Sequence, residues 1–430
     1  MVRSWDYFDT LHGRSCGEPW RIFDLVGGEE YRSVRQEAER RSDKTWPGIF
    51  DTLREITGWS QDRVDELRDL EERAELACGF PIAENVRRFG TGDRIVTDTY
   101  FGADQVQALA EKIGLPAGLD IAASWDGKWT GRYWRSKAAR EIETHVGDNP
   151  RSDVSQARAA GVEACHYKGG AWTKAEKDLE EAGIWEIAGA ARAARLQNPH
   201  EPGSPEAGWW AGAAAANVPF VLAAAALVRG YVEAARPERV AFVSRDTIIL
   251  GEAYGHLYPS DQTCQFWASR ETLRRPSAGF LTYVKRIAPG TLFVDLHGTG
   301  RTMRQFCQAT GLELSYVFVC GQRRLQAHAP ALVTLTGIGT GTAVEVMNYD
   351  DQGRVVDVVA GRPVRADVEY DLAPVAVHRA ATLAGVYACC RPPQGVRAEH
   401  VTQAADAIRR TVPRELLRQH EVEHRQASRS

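Results

Sequence analysis

Residues 5–14 read WDYFDTLHGR, and the meaning given to this stretch decides the fold. Positions 6–10 hold two aspartates, two aromatic rings and a threonine at the end of a short N-terminal strand. What such a crowded strand end is for depends on the segments downstream. DRIVTDTYF reads as a strand ending at Thr97. GADQVQALAEKIGL reads as a helix with Val106, Leu109, Ala110 and Ile113 on one face, and DIAAS as a short strand. GRYWRSKAAREI is expected as a helix, ETHVGDN as a strand running into a loop, and DVSQARAAGV as another helix. Strand and helix in alternation predict an α/β layer built on a parallel sheet. A helix-rich block, residues 28–77, intervenes between the first two strands. Within it SQDRVDELRDLEERAEL opens on a capping Ser60 and repeats apolar residues at Val64, Leu67 and Leu70.

The proline- and glycine-rich run LQNPHEPGSPEAG, residues 196–208, marks the expected domain boundary. The reading is a first domain over 1–195, a linker over 196–212 and a second domain over 213–430. AGAAAANVPFVLAAAALV, residues 211–228, is apolar but alanine-rich and carries Asn217 and Pro219, so a buried core helix is expected rather than a membrane span. Then RVAFVS, CQFWAS, TLFVDL and SYVFVC read as strands, with helices DTIILGEAYGHL and RTMRQFCQATG among them: a second α/β unit. AVEVMNYDDQGRVVDVV is expected as a hairpin turning at residues 350–353. Two helical stretches follow, and the polar tail after Pro413 is expected to be a solvated helix end that frays.

Composition narrows the function classes. A hydrophobic share of 43% and a charged share of 26% are those of an ordinary globular protein. A net charge of -4 gives no global attraction to nucleic acid or anionic membrane. The N-terminus has no long apolar run, so no secretory signal is read. Eight cysteines without a CxxC pair suit reduced thiols and a cytoplasmic setting. The histidines form no HxH or HExxH arrangement, which speaks against zinc.

In an open parallel sheet, ligands sit beyond the carboxyl ends of the strands. Four such ends carry polar residues here: Asp6 with Thr10, then Thr97, then Lys128 in DGKWTGRYW, then Asp148 and Asp153 in HVGDNPRSD. Together they offer a carboxylate nucleophile, a hydroxyl, a lysine and a pair of metal-binding carboxylates. In that order they resemble the four motifs of the haloacid dehalogenase (HAD) superfamily of hydrolases, with residues 15–92 where that family inserts a helical cap. The resemblance implies a Rossmann-like fold and a phosphatase. Asp6 would attack phosphorus. Mg2+ would be held by Asp6, Asp148 and the Phe8 backbone carbonyl, Thr97 and Lys128 would hold phosphoryl oxygens, and Asp153 would orient the metal site or Lys128. The phosphatases of this superfamily carry an acid two residues after the nucleophile; here that position is Phe8, and Asp9 lies one residue further on. WDYFDTLHGR, including Arg14, is similar to a branch of predicted hydrolases found in surface-polysaccharide clusters.

A second constellation follows the boundary. TLFVDLHGTGRTMRQF places Asp295 ahead of Gly298, Thr299, Gly300, Arg301 and Thr302 at a helix start, where backbone amides and hydroxyls suit a phosphate. It resembles the loop of type I phosphoribosyltransferases, although Val294 stands where those enzymes usually have a second acid. Arg245 with Asp246, and Arg270, each end a strand upstream, and arginines suit pyrophosphate or another anion. The expected function is a Mg2+-dependent hydrolase joined to a phosphoribosyltransferase-like domain, acting on a small phosphosugar or nucleotide. The alternatives are a transferase with an inactive hydrolase domain, and a non-catalytic phosphosugar- or nucleotide-binding protein.

Overall fold

The computed structural model describes residues 2–321, 332–337 and 341–429. The chain divides into two compact units. One comprises Met1–Lys174, Leu196–Pro199 and Ala388–Cys390, and the other Ala175–Arg195, His200–Tyr387 and Arg391–Ser430. Residues 175–195, read from sequence as part of the first domain, thus pack with the second. The stretch read as a linker contains the helix Pro205–Gly212.

The first unit is built on five parallel strands: β1 (Val2–Trp5), β4 (Arg94–Asp98), β5 (Asp120–Ser124), β6 (Ile142–Gly147) and β7 (Glu163–His166). Their order across the sheet is β5-β4-β1-β6-β7. The chain moves one way from β1 to β5, then returns to the other side of β1 with β6. The crevice between the ends of β1 and β6 is therefore a topological switch point. One face of the sheet is sealed by a cluster that includes Val96, Trp134, Ile142, Val154, Val162 and Ala164.

Helices Trp20–Arg41, Trp46–Thr57 and Gln61–Cys78 fill the expected cap, and begin earlier than the sequence pattern suggested. The first is kinked at Gly27 and Gly28, where Gly28 takes a φ of 69°. Buried Arg35 ties it to the third through Glu71 (3.0 and 2.8 Å), and the Tyr31 hydroxyl donates to the same carboxylate at 2.8 Å. Two short strands, β2 (His12–Arg14) and β3 (Gly79–Pro81), form an antiparallel ribbon joining the start of the cap to its end. The segment 131–142 is not the expected helix. It consists of turns and a short 3-10 helix, Ala138–Glu141, because Tyr133 and Trp134 turn inward there and the Trp134 indole donates to the Ser152 carbonyl at 2.9 Å.

The second unit repeats the principle with β8 (Arg239–Val243), β9 (Thr263–Phe266), β10 (Thr291–Gly298), β11 (Ser315–Gly321) and β12 (Leu332–Gly337). All are parallel, in the order β12-β11-β10-β8-β9, which puts its switch point between β8 and β10. Phe266, Phe280, Phe293, Phe306 and Tyr316 are among the core residues of one face. The helical run Pro205–Ala235 is long and apolar enough to cross a membrane, yet 72% of its most apolar window is buried inside the protein, as expected of a core helix. The expected hairpin at 350–353 is displaced. Residues Thr342–Met347 form a helix, and the hairpin pairs β13 (Val355–Val359) with β14 (Arg362–Arg365), turning at Ala360 and Gly361, both with positive φ. Three helices, Leu372–Ala388, Ala398–Thr411 and Arg414–Arg429, close the chain. The last does not behave as the frayed end the sequence suggested: Leu416 and His420 are buried, while side chains beyond Glu421 lie outside the described residues.

Candidate functional site

Asp6 follows β1 and Asp148 follows β6, so the first switch point brings them face to face. Asp153 joins them from the turn that begins at Pro150. Carboxylate oxygens of Asp6, Asp148 and Asp153 lie within 4.8 Å of one another. The Lys128 ammonium donates to both Asp6 and Asp153, the latter at 2.5 Å. Thr10 donates to Asp6 at 3.4 Å from the next turn of the loop. Thr97, at the end of β4, has a buried hydroxyl with no hydrogen-bond partner among the described residues. An orphaned buried hydroxyl costs stability and marks a place where a ligand group can be received.

Local folding explains the precision of this cluster. The Asn149 side chain accepts from Arg151 N (2.9 Å) and Ser152 N (3.1 Å), capping a tight helical turn that swings Asp153 back. Asp153 then accepts from Asn149 N at 2.9 Å and meets His145 Nε2 at 3.2 Å, while His145 Nδ1 lies 2.8 Å from the Ser4 hydroxyl. Gly147 is required: a Cβ there would lie 2.4 Å from the Asp153 carboxyl carbon. Asp98 accepts from the backbone N–H groups of Lys128 and Trp129, both at 2.8 Å, and so fixes the loop that carries the lysine. His145 and Asp98 were not anticipated from sequence. Asp98 was detectable as the residue after Thr97; His145 was not, since only the sheet register places it beside Asp153.

Burial pushes the Asp6 carboxyl well above the usual range, only partly offset by Lys128. Asp148 is pushed up to about 6 by burial and by the charges of Asp9 and Asp153. Asp153 goes the other way: burial opposes its charge, but Lys128 and His145 hold it below the ordinary aspartate value. Burial likewise opposes the Lys128 charge, and Asp6 and Asp153 outweigh it, raising its pKa. Three carboxyl groups around one ammonium crowd acidic oxygens in a poorly hydrated place, which is why Asp6 and Asp148 resist ionisation. A hard divalent cation with oxygen ligands fits that donor set.

Phe8 lies two residues after Asp6. Its ring packs edge-on against Tyr7 and His12, and the Arg14 guanidinium lies 3.9 Å from the ring centroid. Arg14 is tied to Glu75 at 2.7 and 3.2 Å, so this residue anchors the ribbon. Asp9 adopts a left-handed φ of 55°, and its charge reaches Asp148 from outside the cluster. The chain matches no family model, and no curated protein shows significant similarity to it. The site must therefore be read from its own chemistry.

The second unit gathers its predicted residues less tightly. Arg245 and Asp246 follow β8, with the Arg245 guanidinium 3.8 Å from the centroid of the Tyr349 ring. Arg270 opens the helix Arg270–Arg274 after the Ser269 cap. Asp295 lies within β10, where it accepts from Tyr316 at 3.1 Å. Burial and the nearby Glu345 push Asp246 up to about 8 and Asp295 up to about 6. Gly298 ends the strand instead of opening the loop, because β10 runs two residues further than read. Gly300 supplies a left-handed cap (φ 66°), the Thr299 hydroxyl accepts weakly from Arg301 N at 3.5 Å, and the helix Arg301–Thr310 carries Arg301 and Thr302 in its first turn. His297, Glu345, Tyr349 and His420 also meet here, and sequence reasoning missed all four.

Proposed function

We propose that the first unit is a Mg2+-dependent hydrolase of the haloacid dehalogenase type, acting on a phosphosugar or nucleotide through Asp6. The observation that carries this reading is the buried meeting of Asp6, Asp148, Asp153 and Lys128 at the switch point of a parallel sheet. Asp6, Asp148 and the Phe8 carbonyl would hold the ion, which would neutralise charge gathering on the phosphoryl oxygens. The chain's own groups do the rest. An Asp6 oxygen attacks phosphorus, the bond from phosphorus to the leaving oxygen breaks, and an aspartyl phosphate forms. Lys128 and the Thr97 hydroxyl hold the phosphoryl oxygens. Water then attacks the same phosphorus, freeing Asp6 and orthophosphate. With Phe8 where a proton donor would stand, substrates whose leaving group is stable as an anion turn over fastest.

The second unit, in this reading, is a phosphoribosyltransferase-like domain that holds a phosphosugar through Arg245, Arg270 and the amides of residues 298–302. Phe8, packed beneath Arg14, favours a second reading, in which transfer or binding belongs to the second unit and the first is slow or inert.

A phosphorus NMR time course tests these readings. The protein with Mg2+ is offered nucleotides, sugar phosphates and phosphoribosyl pyrophosphate, beside Asp6→Asn. Orthophosphate released only by the chain with Asp6 intact supports the hydrolase. Pyrophosphate release indifferent to Asp6 moves the chemistry to the second unit, and release of neither from any substrate removes the hydrolase reading for that panel.

A further inference from the structure

The end of β10 is linked to the end of β8 by a run of polar side chains. His297 Nδ1 lies 3.1 Å from Glu345 Oε1, in the helix Thr342–Met347. The other oxygen of Glu345 lies 3.6 Å from His420 Nε2, in the helix Arg414–Arg429. His420 Nδ1 is hydrogen-bonded to the Tyr349 hydroxyl, and the Tyr349 ring carries the Arg245 guanidinium. These groups therefore span the two strands that flank the second switch point.

A purely architectural network would need only Glu345, His420 and Tyr349, which fasten the last helix to the core. It would not need an imidazole at the strand end. His297 keeps 15% of its side chain exposed, so the run of contacts ends at solvent. Its ring also packs against the backbone of Gly341, where a Cβ would lie within 2.1 Å of three of its atoms. Around it stand Asp295, Asp246 and Glu345, with Arg270 acting on Glu345 and Asp246. Burial opposes protonation of His297, but Glu345 outweighs it and raises its pKa.

We propose that His297, positioned by Glu345, takes up a proton from solvent when a sugar phosphate binds at the carboxyl ends of β8 and β10. This rests on the phosphosugar reading of the second unit and is independent of Asp6. Arg245, Arg270 and the amides before Arg301 suit the phosphate, and Asp246 and Asp295 suit ring hydroxyls. Since Glu345 engages Nδ1, Nε2 is the nitrogen left to face the ligand. When a phosphate dianion binds beside it, one proton passes from solvent to Nε2, and the phosphate meets an imidazolium.

Calorimetric titration of ribose 5-phosphate into the full chain, in two buffers of different ionisation heat near pH 7, counts the protons taken up. The wild type is expected to take up about half a proton per ligand. His297→Asn is expected to lose most of that uptake and to bind about tenfold more weakly. Glu345→Gln should still bind, with its maximum uptake moved to lower pH. Asp246→Asn separates any proton on that carboxyl from the imidazole's. An unchanged proton count in His297→Asn overturns the role of His297 while leaving the binding site in place. Absence of ribose 5-phosphate binding by the wild type overturns the phosphosugar reading of the unit itself, and inorganic phosphate binding equally well overturns its sugar half.

Discussion

At Thr97 the proposed function and the stability of the fold make opposite demands on one side chain. Its hydroxyl is buried without a partner among the described residues, so exchanging it for an isosteric methyl removes a desolvation cost. Thr97→Val is expected to stabilise the fold by ~1 kcal/mol in denaturant melts and to lower phosphate release at least tenfold. A loss of stability would mean that the hydroxyl has a structural partner. Gly147 makes the complementary case. Gly147→Ala must push the Asp153 carboxylate off its place and, through it, the hold of Asp153 on Lys128. On the proposed Mg2+ reading, the Mg2+ concentration needed for half-maximal thermal stabilisation should rise ~10–100-fold, as for outer residues that orient metal ligands. The carboxylates, lysine and hydroxyl of the first site could be read in the sequence because each lies at the end of a strand or in the loop or turn that follows one. Phe8 could be read only as a departure. That Arg14 would spend its charge on Glu75 and the Phe8 ring could not be read, since Glu75 is brought to it only by the return of the cap's third helix.

Among elements, the alanine-rich helix shows why a polar residue persists in an apolar stretch. Asn217 Nδ2 donates to Asn348 Oδ1 (3.1 Å) and Thr382 Oγ1 (2.9 Å), and its Oδ1 accepts from Asn348 Nδ2 at 3.0 Å. All three residues are buried. Asn217→Ala would strip the Asn348 side chain of its reciprocal partner, leaving its Nδ2 only the bond to the Val344 carbonyl at 2.9 Å, and is expected to cost about 2–4 kcal/mol, measured by urea unfolding. Asn217→Ala combined with Asn348→Ala should cost less than the sum of the two single changes. Helices and strands with a clean apolar period were legible. The segment 131–142 was not, because its aromatic and apolar residues match a helical period while they are drawn inward one at a time. Nor was the helix Thr342–Met347 legible: VEVM has the composition of a strand, and its packing around Glu345 overrides that propensity.

For the whole molecule, strand order could not be read from sequence beyond the expectation of parallel sheets. Order depends on crossover packing, and it is order that creates both switch points. His297, Glu345 and His420 stand far apart in the chain and were invisible for the same reason. Acid stability is a property of the whole fold. His378, buried in Leu372–Ala388, has its pKa lowered by burial from 6.5 to about 4. The unfolded chain therefore binds a proton first. Stability is fully present above pH 6.5 and is lost as pH falls toward 4, by roughly 2–3 kcal/mol from this residue. His378→Leu should flatten the melting temperature between pH 4 and 6.5; an unaltered slope would show that other groups control it.

The ribbon of β2 and β3 has a practical consequence for anyone recombining this protein. The cap leaves the first sheet through His12–Arg14 and returns through Gly79–Pro81, and those two strands are partners of one another. A chimera cut after Arg14 and before Gly79 would leave both strands behind with the sheet, and would part Arg14 from Glu75. Seams placed after Pro81 and before His12 carry the ladder whole, so the transferable module is the cap together with its neck.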